Sequence, residues 1–236
     1  MIKKQILIIG ASSEIGLVLC KNFLLSGYNV ISHVNSGASR LKPLSVEYPG
    51  QLSIYKQDFN NSDESVEDVF PLQKLTTLNG IVHCPSPPID IKHILKTSWD
   101  DFQSHFNVHI KSLHQTLKFL NNKKLLNNTK LVVINSEISV ITKPPKGFSA
   151  YGSSKAALSF YCASLNEDIH FSKLIVNQIS PSMFESRLLK KIPTYLKEFS
   201  KDSKINHDSD ILEVINFLLF KASDKVKNQN IHISSD

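Results

Sequence analysis

With 236 residues, a formal net charge of +6 and 41% hydrophobic against 20% charged residues, the chain falls among ordinary globular proteins and is long enough to bury a sizeable core. No apolar run approaches the roughly 18 residues of a membrane span, and Met1 to Gln5 leads into a strand-length stretch rather than a secretory signal. Arg40 and Arg187 are the only arginines among 27 basic residues and the longest lysine runs are pairs, which suits a solvated surface receptive to phosphate-bearing small ligands and disfavours a nucleic-acid or membrane partner.

Strand and helix periods alternate along the chain. Short β-branched runs bounded by turn residues fall at 6–9, 30–34, 52–55, 80–84, 131–135, 174–179 and 230–233. Between them, amphipathic stretches at 15–25, 65–75, 98–120, 150–169 and 210–220 predict helices. The fourth shows the spacing best, with Ala157, Phe160, Tyr161, Ser164 and Leu165 on one face. The alternation predicts an α/β fold: a doubly wound, Rossmann-like parallel sheet of about seven strands with helices on both faces. No repeat or linker divides the chain, so one domain over 1–236 is expected. Loops near 85–99 and 182–206 follow strands at their carboxyl ends, where open α/β sheets bind ligands.

The first strand-to-helix junction reads Gly10-Ala11-Ser12-Ser13-Glu14-Ile15-Gly16. Gly10 permits a tight turn, and small residues at 11 to 13 let a diphosphate approach the backbone at the positive end of the next helix. A carboxylate at Glu14 suits a helix start but sits badly beside a diphosphate unless it turns away.

Tyr151-Gly152-Ser153-Ser154-Lys155 opens the fourth predicted helix, and its i, i+4 spacing puts phenol and amine on one face. A neighbouring ammonium favours the phenolate, so a lowered Tyr151 pKa is expected, fitting it for proton transfer to or from a carbonyl or alcohol oxygen. His105 and His109, also i, i+4, have no third ligand nearby, so packing or an interface is expected and no metal. The three cysteines, Cys20, Cys84 and Cys162, include no C-x-x-C pair, which suits a reducing cytoplasm, with Cys84 a buried structural thiol.

Taken together, Gly10, Ile15 and Gly16, the Tyr151–Lys155 pair and Phe106-Asn107-Val108 resemble, in order and position, the short-chain dehydrogenase/reductase family over nearly the whole chain. The resemblance implies an NAD(P)-dependent oxidoreductase acting on a small-molecule carbonyl or secondary alcohol, a 3-oxoacyl thioester by default. It implies Tyr151 and Lys155 as the catalytic pair, with both also binding the cofactor, and Asn107 as anchor of a proton-relay water. The family's serine at the end of strand five corresponds to Ser136, with Ser139 an alternative.

The cofactor contacts implied are Gly10, Ser12, Ser13, Ile15 and Gly16 at the turn, Asp58 on the adenine, Pro181 and Met183 at the carboxamide, and Ser186. The stretch 29–40 has no acid to hold ribose hydroxyls but offers His33, Asn35, Ser36 and Arg40 as phosphate donors, so NADP is preferred to NAD. The family's usual assembly implies a homodimer or homotetramer. Departures at Glu14 and at His83-Cys84-Pro85-Ser86, in place of N-N-A-G, keep an alternative open: a non-catalytic dinucleotide-binding regulator on the same fold.

Overall fold

The computed structural model describes residues 4–61, 65–71, 75, 78–182 and 208–233. Its strands are β1 (Gln5–Ile9), β2 (Asn29–Val34), β3 (Leu52–Lys56), β4 (Gly80–His83), β5 (Thr129–Ile134), β6 (Leu174–Pro181) and β7 (Asn230–Ile233), joined in the order β3-β2-β1-β4-β5-β6-β7 with every pairing parallel. Strands buried on both faces need no polar alternation, and β1 is apolar at Ile6 to Ile9 with every residue buried.

Successive side chains divide between two cores. Ile6 and Ile8 join Val30, Val82 and Val132 under α1 (Glu14–Leu25) and α7 (Asp208–Asn216). Leu7 and Ile9 join Ile31, Ile81, Leu131 and Val133 under α5 (Ser112–Asn122) and α6 (Ser149–Glu167). Chain order reverses between β1 and β4, so the crevice at their carboxyl ends is where such a sheet takes a ligand.

The helices depart from expectation in three places. A 3-10 turn (Ala38–Leu41) and α2 (Lys42–Glu47), six residues started by Pro43 in its first turn, were too short to show periodicity. The helix expected over 65–75 is described only as α3 (Val66–Val69).

The single helix expected over 98–120 is interrupted. α4 (Trp99–Phe106) opens with a reciprocal cap between Ser98 and Asp101, and a π segment (Asn107–Lys111) joins it to α5. The Ser112 hydroxyl donates to Val108 O at 2.6 Å, taking the carbonyl that a regular helix gives to the Ser112 N–H. That N–H reaches one residue farther back, to Asn107 O. From β4, His83 Nε2 lies 2.8 Å from the same hydroxyl. Its proton already goes to a carbonyl, so the imidazole is the donor and a strand residue holds the widened turn in place.

Candidate active site

The phosphate turn closes on itself. Gly10 has φ +90°, and a Cβ there would lie 2.5 Å from Pro85 N. A Cβ on Gly16 would lie 2.5 Å from Gly10 O. Ser13 is the N-cap of α1, its hydroxyl accepting from Gly16 N at 3.0 Å and donating to Gly10 O at 2.8 Å, while Ile15 is buried in the core. Both glycines therefore let backbone pack directly on backbone at the turn. Gly10→Ala should lower stability by about 1–3 kcal/mol through strain at positive φ and collision with Pro85. It should also weaken dinucleotide binding at least tenfold; thermal melting and a fluorescence titration with NADPH check the two effects separately.

Glu14 turns sideways. Its Oε1 lies 3.2 Å from Arg40 Nη2, and Arg40 Nη1 donates to Ser12 O. Gly37, at φ +71°, brings the loop after β2 against Ser12, with Asn35 and Ser36 exposed on the same loop. Ser12, Asn35, Ser36 and Arg40 thus share one rim beside the turn.

His33 does not join them. It is 2% exposed, its Nε2 donates to Gln57 O at 2.9 Å, and its Nδ1 accepts from Gly10 N at 3.3 Å. Burial, only partly offset by the Gln57 carbonyl, lowers its pKa to about 4. The expectation that His33 donates to a cofactor phosphate is corrected: both nitrogens are occupied in bracing the turn. Asp58 is half-buried beyond β3, its Oδ1 accepting from Asn60 N at 2.9 Å.

At the other side of the crevice, Tyr151 stands in the first turn of α6 and Ser136 just past the end of β5. The Ser136 hydroxyl lies near enough to the Tyr151 phenol to favour its ionised form. Ser139 Oγ is buried with no partner among the described residues. Lys155, 3% exposed, donates to Ile134 O at 2.9 Å and holds its amine 5.9 Å from the Tyr151 ring centre.

Burial lowers the Lys155 pKa to about 8. It raises that of Tyr151, against the pull of Ser136, which corrects the expectation of an acidified phenol. Loss of water outweighs an amine whose proton is shared with a backbone carbonyl. Asn107 is not brought to this pair. Its amide donates to Asn60 Oδ1 at 3.4 Å, and its carbonyl accepts the long π bond from Ser112.

Pro181 ends β6 buried, and Ser182 N donates to Ile233 O at 3.0 Å. Met183 and Ser186 lie outside the described residues. Cys84 is buried, its thiol donating to Ile9 O at 3.3 Å and pushed up to about 12 by burial. No group of three His, Cys, Asp or Glu among the described residues has the geometry of a metal site.

A pocket opens beside Tyr151, lined by Asp90, Thr97, Asp101, Ser104, His105 and Ser149 with Pro87 and Pro88. Lys92 bridges its two carboxylates, 2.9 Å from Asp90 and 3.0 Å from Asp101. Hydrogen bonds from Ser98 and Lys92 keep the Asp101 carboxyl below the ordinary range. Pro87, Pro88, Asp90 and Thr97 lie in the loop expected near 85–99, whereas Asp101, Ser104 and Ser149 lie outside it and carry no motif.

Comparison with known proteins agrees with this fold. The short chain dehydrogenase family model matches residues 4–196. Carbonyl reductase [NADPH] 2 of Sus scrofa is 24% identical over 226 residues, covering 93% of this chain and 88% of its own. A benzil reductase of Saccharomyces cerevisiae is 28% identical over 202 residues, covering 80% and 74%. Among solved structures, 4-hydroxyisoleucine dehydrogenase complexed with NADH superposes with a TM-score of 0.85 at 20% identity, covering 99% of this chain and 98% of its own. The chain belongs to the short chain dehydrogenase family.

Proposed function

We propose that this chain transfers a hydride between a nicotinamide dinucleotide, NADP in preference to NAD, and a small-molecule carbonyl or secondary alcohol. The observation that carries the reading is the meeting of Ser136, Tyr151 and Lys155 at the carboxyl edge of the sheet. The glycine turn across the switch point fits the cofactor: Gly10 and Gly16 let backbone close on backbone with no side chain between, and α1 directs its N-terminal N–H groups and positive end there. Ser12 and Ser13 offer backbone to the diphosphate, Asp58 lies toward the adenine, and Pro181, Met183 and Ser186 belong to the nicotinamide side. The cofactor, when bound, supplies or accepts the hydride.

The protein handles the proton. The Tyr151 phenol, its pKa raised by burial, is protonated at neutral pH and so serves as proton donor to a carbonyl oxygen when the reduced cofactor is supplied. Ser136 aligns that oxygen, and the Lys155 ammonium stabilises the phenolate left behind. Asn107 is not at the pair, so it serves the relay only through a water anchored on the π segment. Carbonyl and benzil reductases among the relatives support this direction.

Asp90, Thr97, Asp101 and Ser104 in the pocket wall support a compact substrate with hydroxyl or ammonium groups over a long acyl chain. Structural neighbours named for 4-hydroxyisoleucine and serine fit that class, whereas a relative from Chlamydia trachomatis is a 3-oxoacyl-[acyl-carrier-protein] reductase. Purified protein titrated with NADPH and NADH, then offered benzil, an acetoacetyl thioester, 4-hydroxyisoleucine and serine, should bind dinucleotide and turn over at least one compound. Binding with no turnover across the panel would replace this reading with the regulatory one.

NADP preference rests on Arg40. A ribose 2′-phosphate at the rim would compete with Glu14 for that guanidinium, and a charge-assisted bond of this kind is worth about 1.5–3 kcal/mol. Glu14→Gln should tighten NADPH binding about tenfold relative to NADH, and Arg40→Leu should reverse the preference; paired calorimetric titrations measure both.

Self-association through α4–α5 and α6 is supported by Trp99 and Phe160, 74% and 77% exposed. Three buried free thiols support a reducing compartment, and among the described residues no helix is long and apolar enough to cross a membrane.

A further inference from the structure

The Tyr151 ring has two neighbours that the proposed chemistry does not use. His105 and His109 lie with ring centres 5.8 and 5.7 Å from that of Tyr151, both at 72° to it, and 5.6 Å from each other. The three rings form a nearly equilateral cluster. His105 belongs to α4 and His109 to the π segment, which lies against α6.

His109 is tied back to the tyrosine through the main chain. Ser154 Oγ donates to Tyr151 O at 2.7 Å, and His109 Nδ1 lies 2.8 Å from that Ser154 hydroxyl oxygen. The hydroxyl's one proton is taken by the carbonyl, so Nδ1 carries the hydrogen and donates. Nε2 is left as a bare, buried acceptor, and His105 Nδ1 is likewise buried without a partner among the described residues. A side chain of the same size without nitrogens would pack here without that desolvation cost. The retained imidazoles therefore need a reason other than filling space.

Their charge state supplies part of it. Burial holds both rings neutral, His105 at about 4 and His109 far below its ordinary value, and Lys155 works in the same direction. The other groups facing the pair are His83 from β4 and Asp101 from α4. The cluster thus stays uncharged at neutral pH and leaves the Lys155 amine as the cation beside the phenol.

We propose that His109, anchored by Ser154 and seconded by His105, is a positioning residue that fixes the orientation of the Tyr151 phenol. The proposal rests on Tyr151 being the proton donor, and positional error of about 1 Å at such a group costs up to 100-fold in rate. His109→Leu keeps the bulk and removes the anchor; it should lower kcat for NADPH-dependent reduction 10- to 100-fold and leave the KM for the carbonyl within about threefold. Ser154→Ala should do the same, and the double variant should be no worse than either single one. His109→Gln, whose amide still reaches Ser154, should restore most of the lost kcat.

A second readout needs no turnover. Tyrosinate absorbance on titrating cofactor-free protein, taken as the difference from Tyr151→Phe, should show a displaced Tyr151 titration in His109→Leu and the parent curve in His109→Gln. If both His109→Leu and Ser154→Ala, folded by circular dichroism, keep parental kcat and the parental Tyr151 curve, the proposal is overturned. It is overturned equally if His109→Gln behaves as His109→Leu does. Full turnover in Tyr151→Phe would sink the catalytic reading instead, and the absorbance difference would still report on the clamp.

Discussion

Tyr151→Phe is expected to lower turnover about 1000-fold while leaving NADPH affinity within about twofold. The substitution removes one oxygen from a ring that stays packed against His105, His109 and Phe148, so the fold has little to lose. What disappears is the phenol proton beside Ser136, the one assigned to the carbonyl oxygen. General acid catalysis by a placed side chain contributes typically 100- to 10,000-fold, and the middle of that range is expected because Ser136 remains to polarise a carbonyl. Stopped-flow binding of NADPH measured beside steady-state consumption separates the two effects. Turnover within tenfold of the parent would mean that the proton comes from elsewhere, and the assignment of Tyr151 would fall.

The same phenol shows how far a sequence carries such an argument. The Tyr151–Lys155 spacing places both groups on one helical face, and the structure puts them there. The ionisation that the spacing implies is reversed, because spacing records proximity and not the withdrawal of water around a buried ring. His33 fails for a related reason. It follows a β-branched run at a strand's carboxyl end, the place for a ligand donor, but its register opposite Ile9 turns the imidazole inward to brace Gly10 and Gln57.

Glu14 goes the other way. A carboxylate that looks hostile to a diphosphate is turned onto Arg40 across a loop whose course only Gly37 and a four-residue 3-10 turn decide. Strand order and the glycine cradle were legible because each follows from local pattern, a period of two or a position without a Cβ. The π segment was not. It depends on His83, 29 residues before Ser112, supporting a hydroxyl that takes another group's carbonyl. No helical period within 98–120 carries that information. The Asp90–Lys92–Asp101 wall is hidden for the same reason, since it joins a loop to a helix start through ion pairs.

Mild acid should destabilise this protein more than its modest number of shifted carboxylates would suggest. His33, His83, His105 and His109 are each held neutral in the fold, chiefly by burial, with His33 and His105 lowered to about 4 and the other two well below their ordinary value. Unfolded, each titrates near 6.5. Above that pH both states are neutral and stability is fully present. Between roughly 6.5 and 4 the unfolded chain binds protons that the native one refuses, so stability falls as the pH drops, by about 1.36 kcal/mol per pH unit for each histidine. For His33 alone the loss between pH 7 and 4.5 is about 2.5 kcal/mol, against a typical total of about 5–15 kcal/mol. His83 and His109 add to it in the same direction, and Lys155, lowered to about 8, is already charged throughout this window and adds no slope. Urea unfolding followed between pH 7.5 and 4.5 should therefore show a steep loss of midpoint beginning just below 6.5. His33→Phe, whatever it costs at neutral pH, should flatten that slope by about one proton's worth. A midpoint unchanged down to pH 5 would show that the buried imidazoles take up protons without strain, and that the ring cluster around Tyr151 is more open to water than its packing indicates.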